Sequence, residues 1–134
     1  MATGTAGGTG RQYHTQQVHY CRKTVTFADA GTSVLVGTLP AGALLLRAYP
    51  WVTVAFTGTG TDLLDIGVTG ELDKFATDLD VSSVGQKTDT DLAGEAGALM
   101  AADTPVYATY ADANSDADAG SAIVVLEFLA DNDG

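Results

Sequence analysis

Apolar and polar positions alternate along this chain in short runs broken by glycine-rich turns, the period-two signature of half-buried β-strands. From Val18 to Phe27 (VHYCRKTVTF), residues His19, Cys21, Lys23, Val25 and Phe27 share one face. Val18, Tyr20, Arg22, Thr24 and Thr26 share the other, which predicts a strand buried on opposite faces at its two ends. Asp29-Ala30-Gly31 is turn chemistry, Ser33 to Leu39 reads as a second strand, and Pro40-Ala41-Gly42 reverses the chain. Ala43 to Phe56 (ALLLRAYPWVTVAF) begins as a continuous apolar run and ends in alternation of Val52, Val54 and Phe56. It is the predicted heart of the core. Pro50 has no N–H for a ladder, so it marks a bulge, a sheet switch or an edge position.

Gly58-Thr59-Gly60-Thr61 is another turn, and Asp62 to Val68 another strand with Leu64, Ile66 and Val68 on one side. Between residues 69 and 103 the pattern weakens. Leu72, Phe75, Ala76 and Leu79 stand at i, i+3, i+4 and i+7, so Glu71 to Leu79 is expected to form one or two helical turns. Leu92 to Ala102 is helix-compatible, weakened by Gly94 and Gly97. Thr104 to Tyr110 and Ser121 to Leu129 are then expected as two strands of a hairpin closed by the acidic loop Ala111 to Gly120.

About seven short strands with Gly-rich turns predict an all-β fold, an antiparallel β-sandwich or jelly roll. The first seventeen residues do not belong to that pattern. MATGTAGGTG is too polar and too rich in glycine to build a core. The chain therefore divides into an extended N-terminal arm (residues 1–17), expected to take its shape from a partner's surface, and a β-sandwich domain (residues 18–134).

Charge is also divided along the chain. Arg11, Arg22 and Lys23 lie in the first 28 residues with no acid, whereas all of the 17 acids except Asp29 lie from Asp62 onward. The formal charge of −11 predicts a soluble body that repels nucleic acid. Charged residues make up only 17% of the chain, against about 25% in typical globular domains, so Thr, Ser, Gly and Ala must fill much of the surface. Such a surface suits close packing against neighbours. Cys21 is the single cysteine and excludes an internal disulfide. Neither a secretory signal nor a membrane-spanning run is apparent, since Arg47 and Pro50 interrupt the longest apolar stretch. The expectation is synthesis in the cytoplasm and no membrane partner.

Candidate chemistry is sparse. Asp112, Asn114, Asp116 and Asp118 alternate as in a calcium loop, but Ala117 takes the glycine position and Ile123 the glutamate position, so a solvated turn is the better reading. His14, His19 and Cys21 supply too few zinc ligands. No nucleophile elbow and no phosphate loop occurs. The expectation is a non-enzymatic protein without cofactor or metal. Tyr49, Trp51, Tyr107 and Tyr110 are candidates for a subunit interface, since aromatic side chains bring large apolar area to such contacts. Arg11, Tyr13, His14, Arg22 and Lys23 are candidates for contact with a larger assembly.

The runs Val36–Ala43 (VGTLPAGA), Val52–Phe56 (VTVAF), Thr57–Gly67 (TGTGTDLLDIG), Ala101–Tyr110 (AADTPVYATY) and Gly120–Phe128 (GSAIVVLEF) together resemble small virion proteins of tailed bacteriophages. The resemblance covers roughly residues 24–133 and is carried by turns and strands. Within that group the chain is most similar to capsid decoration (cement) proteins. The resemblance implies a β-sandwich or jelly-roll homotrimer that binds the major capsid protein on the outer surface of the mature head and stabilises contacts between capsomers. The alternative it leaves open is a receptor-binding or tail/fibre-associated virion module.

Overall fold

The structure is a computed structural model that describes residues 18–88 and 99–130. The proposed arm at residues 1–17, with Arg11, Tyr13 and His14, lies outside the described residues, as does most of the helix-compatible stretch Leu92 to Ala102.

Eight strands are formed among the described residues: β1 (His19–Thr26), β2 (Ser33–Leu39), β3 (Leu44–Val54), β4 (Asp62–Val68), β5 (Glu71–Asp80), β6 (Gly85–Gln86), β7 (Thr104–Asp112) and β8 (Ser121–Leu129). They make two four-stranded sheets, ordered β1-β8-β3-β6 and β2-β7-β4-β5, with every pairing of these strands antiparallel. Only β4 and β5 are both consecutive in the chain and paired. Elsewhere successive strands lie in opposite sheets, the winding of a jelly roll. The all-β sandwich expected from the alternation is therefore present.

The core lies between the sheets. Val25, Leu45, Val52, Val124 and Leu126 face it from the first sheet, and Leu39, Leu64, Ile66, Phe75, Val106 and Tyr110 from the second. Pro50 pairs with Val124, and its carbonyl accepts the Lys87 N–H at 3.0 Å. In a strand, the N–H and C=O of one residue point to the same side. The donor that proline lacks thus faces the two-residue β6, where little pairing is lost.

Three sequence expectations need correction. Glu71 to Leu79 is a strand. Register shifts fall between Leu64 and Ile66 and between Ile66 and Val68, and Asp78 has φ of 54°, so the buried side chains of β5 lose strict alternation. Asp65 Oδ1 accepts the Asp78 N–H at 2.6 Å and fastens this irregular segment. Second, β7 and β8 are not a hairpin: they lie in different sheets, and residues 113–120 cross the end of the sandwich. Third, β1 buries Val25 at one end only; Tyr20 is exposed.

Candidate functional site

In a two-sheet sandwich each strand turns alternate side chains inward, so the other set should be polar. The second sheet obeys only in part, since Leu35 and Leu63 stand among its polar outward residues. Ser33, Thr109 and Asp65 form the middle row on its outer face, flanked by Ala111, Leu63 and Asp80 on one side and by Leu35, Tyr107 and Gly67 on the other.

The first sheet does not obey. On β8 (SAIVVLEFL) the inward set is Ala122, Val124, Leu126 and Phe128, yet the outward set still includes Ile123, Val125 and Leu129. On β3 the outward set includes Leu44, Tyr49 and Trp51. The register aligns these residues across the sheet: Thr24, Ile123 and Trp51 in one row, Arg22, Val125 and Tyr49 in the next, then Tyr20, Glu127 and Arg47. Leu44 and Leu129 pair beyond them, and Leu99 bridges to Leu44. Trp51 is 49% exposed and Tyr20 65%. Near-continuous apolar strands are the mark of a sheet covered on both sides, and no described element covers this one.

One polar assembly is set into that face. Arg47 donates to Glu127 through Nη2–Oε2 at 2.6 Å and Nε–Oε1 at 3.3 Å. The Tyr49 hydroxyl donates to the same Oε2 at 2.8 Å, and the Arg47 guanidinium lies 4.9 Å from the Tyr49 ring centre. The Arg47 hydrogen bond holds the Glu127 carboxyl below the usual carboxylate range. Glu127 is the only acid in these rows, although the chain carries 17. Among the described residues the other acids lie elsewhere, on β4, β5, β7 and the connecting loops.

The loop acids have internal work. Asp116 accepts both the N–H and the hydroxyl of Thr59, which keep its carboxyl low, and Asp118 accepts the Thr57 hydroxyl at 2.8 Å. They tie the β7–β8 crossing to the β3–β4 turn. These bonds, invisible in the spacing of Asp112, Asn114, Asp116 and Asp118, account for much of the loop's acidity. Among the described residues no three His, Cys, Asp or Glu side chains are grouped to hold a metal ion. His19 stacks on Phe128, with ring centres 5.7 Å apart, and half-buried Cys21 packs against the core beside Gly37.

Of the predicted interface aromatics, Tyr49 and Trp51 meet on the outer face of the first sheet. Tyr107 lies on the outer face of the second. Tyr110 is 0% exposed and packs on Phe56 at 4.4 Å inside the molecule, so it is a core residue and touches no second subunit. Arg22 stands on the apolar face, whereas Lys23, on the same edge strand, has the core-side parity of Cys21 and Val25. Sequence reading passed over Ile123, Val125 and Leu129 as components of the face. The signal was available: apolar residues at both parities of β8.

No protein-family model and no curated protein matches the chain. Solved structures that share its fold include chains of three phage capsids. A chain in the acid-stable capsid of Helicobacter pylori bacteriophage KHP30 matches with TM-score 0.64 and 14% identity, covering 86% of this chain and 89% of that one. A chain of the cyanophage Pam1 capsid asymmetric unit matches with TM-score 0.66 and 21% identity over 95% and 92%. A chain of the Ralstonia phage GP4 capsid matches with TM-score 0.57 and 20% identity over 87% and 86%. Each likeness spans nearly the whole of both chains, so this protein has the fold of whole chains found in phage capsids.

Proposed function

We propose that this protein is a structural component of a tailed-phage virion, a decoration protein that binds the outer surface of the head and stabilises contacts between capsomers of the major capsid protein. The observation that carries the reading is the whole-chain likeness to three phage capsid chains. Because the match covers most of both partners, those chains are about the size of this one.

Charge supports the outer surface. A body of −11 facing packaged nucleic acid would meet phosphate at close range, whereas outside the shell the same charge keeps particles dispersed. The cations Arg11 and Lys23, near the N-terminus, supply contacts to acidic shell residues. The reading includes self-association as a homotrimer and assigns the protein neither an enzymatic activity nor a membrane partner.

The test is binding of purified protein to heads that lack it, scored by co-sedimentation and electron microscopy. The expected result is regular external density on the shell and greater resistance of the particle to heat. A chain without residues 1–17 should keep the far-ultraviolet spectrum of a β-protein and lose most binding. Absence of any binding by the full chain to such heads overturns the proposal.

A further inference from the structure

We infer that the outer face of the β1-β8-β3-β6 sheet is the surface through which copies of this chain associate. The inference deepens the proposed reading by locating its self-association, and it rests on that part of the reading. Three observations identify the occupant as a second copy.

The first is the sequence of the two central strands. Ile123, Val125 and Leu129 on β8, with Leu44, Tyr49 and Trp51 on β3, leave an apolar surface in the middle of a sheet, where solvent-facing strands carry polar residues. The sequence outside the described residues is a poor cover for it: residues 89–98 hold one large apolar residue, Leu92, beside Asp89, Asp91 and Glu95. Residues 1–17 contain Tyr13 as their one aromatic residue and no Leu, Ile, Val or Phe.

The second is charge. Two bodies of −11 repel wherever acid meets acid. This face is depleted of acid, and its Glu127 is already paired with Arg47 at 2.6 Å. Copies can approach here without placing carboxylate against carboxylate.

The third is self-complementarity. The patch holds Arg22, Arg47 and Glu127 around an aromatic and aliphatic centre, so both signs of charge are present within it. With near balance of charge, no field selects a strongly acidic or basic partner, whereas a like face matches it. Trp, Tyr and Arg are also the residues that dominate binding energy at protein interfaces.

The experiment compares the full chain with Trp51→Glu, Val125→Glu and, as a control on the other sheet, Leu35→Glu. Sedimentation velocity over a concentration series reads association, and circular dichroism with thermal melting reads folding. Leu35 is 48% exposed, matched to Trp51, so the control bears the same cost of an added surface charge. The full chain is expected to be oligomeric. Trp51→Glu and Val125→Glu should weaken association by about 30-fold or more, the loss typical of a hot-spot side chain. Leu35→Glu should change it less than about threefold, as a substitution outside the contact does.

A full chain that stays monomeric overturns self-association itself. An oligomer indifferent to both first-sheet variants overturns only the assignment of the face. A monomer that binds heads through Trp51, losing binding in Trp51→Glu, assigns the face to the shell protein and also overturns the inference. If a first-sheet variant fails to fold, Tyr20→Glu serves in its place, at a position 65% exposed on the same face.

Discussion

The Tyr110 hydroxyl donates to Asp62 Oδ1 at 2.5 Å, joining neighbouring strands β7 and β4 inside the sandwich. Tyr110 is fully buried, and Asp62 is 2% exposed. Burial, and then the Asp62 hydrogen bond, push the tyrosine hydroxyl well above its ordinary pKa, so it remains a donor throughout the usual pH range. Asp62 Oδ2 has no partner among the described residues. The tyrosine therefore provides the one described side-chain hydrogen bond to a buried carboxyl group.

Removing that donor should be costly. Tyr110→Phe keeps the ring against Phe56 and deletes only the hydroxyl, which leaves a buried acceptor unmatched. The expected loss is about 1–3 kcal/mol by urea denaturation. The double variant Tyr110→Phe, Asp62→Leu should lose less than the sum of the two single changes, since it removes both partners together. An unchanged denaturation midpoint for Tyr110→Phe would show that the bond contributes nothing.

Two glycines should differ in their tolerance of alanine. A Cβ at Gly67 would stand 2.3 Å from the Glu71 carbonyl oxygen and 2.4 Å from the Leu72 carbonyl carbon, both main-chain atoms that cannot move aside. At Gly37 the nearest atoms are Cys21 Sγ at 2.7 Å and Cys21 Cβ at 2.8 Å, both of a side chain, and only the first is removed by alanine. Gly37→Ala should cost about 1–3 kcal/mol by overpacking, and Cys21→Ala should recover part of it. Gly67→Ala should cost more, and no side-chain change should rescue it. Equal melting temperatures for the two variants would refute this ordering.

How much of this was legible beforehand depended on whether the backbone kept its period. Asp62–Val68 alternates as far as Ile66, and Ser33–Leu39 alternates up to a bulge between Leu35 and Gly37 that moves the inward set from Val34 and Val36 to Leu39; the bounds of both were readable from the residues alone. Glu71 to Leu79 was not readable, because irregular pairing and the positive φ of Asp78 place Phe75, Ala76 and Leu79 at intervals that mimic a helix. The sheet change between β7 and β8 was hidden for another reason. A short acidic connection between two apolar runs looks the same whether it closes a hairpin or crosses a sandwich, and only contacts distant in sequence, such as Thr57 to Asp118, distinguish the two. The interface face was half legible. Tyr49 and Trp51 stood out as aromatic, but Tyr110 is equally aromatic and serves the core, and only the register separates them.

Lys23 predicts how the outer edge of β1 behaves. It pairs with buried Val124 on the core side of the sheet, between Cys21 and Val25, yet is itself exposed. A charge directed inward on an edge strand is a recognised guard against edge-to-edge pairing. Lys23→Val should leave folding stability within about 0.5 kcal/mol, as for most surface changes, while increasing aggregation measured by light scattering on warming. A variant that stays as dispersed as the parent would remove the guarding role.

Acid should act on Glu127 and Asp65 in opposite senses. The Arg47 hydrogen bond depresses the folded Glu127 value below its ordinary 4.5. A depressed carboxyl stabilises the fold above the unfolded value, and that contribution is lost as pH falls through the folded value. Glu127→Gln should therefore destabilise the protein at pH 7, and the difference from the parent should shrink as pH falls below 4.5 and through the folded value. Burial raises Asp65 above its ordinary 3.8. A raised carboxyl favours the fold at low pH, and that contribution is lost as pH rises from the unfolded value through the folded one. Asp65→Asn keeps an oxygen for the Asp78 N–H, so relative to the parent it should be more stable at pH 7 than at pH 3. Denaturation midpoints at several pH values check both signs, and two difference curves of the same slope would contradict the assignment.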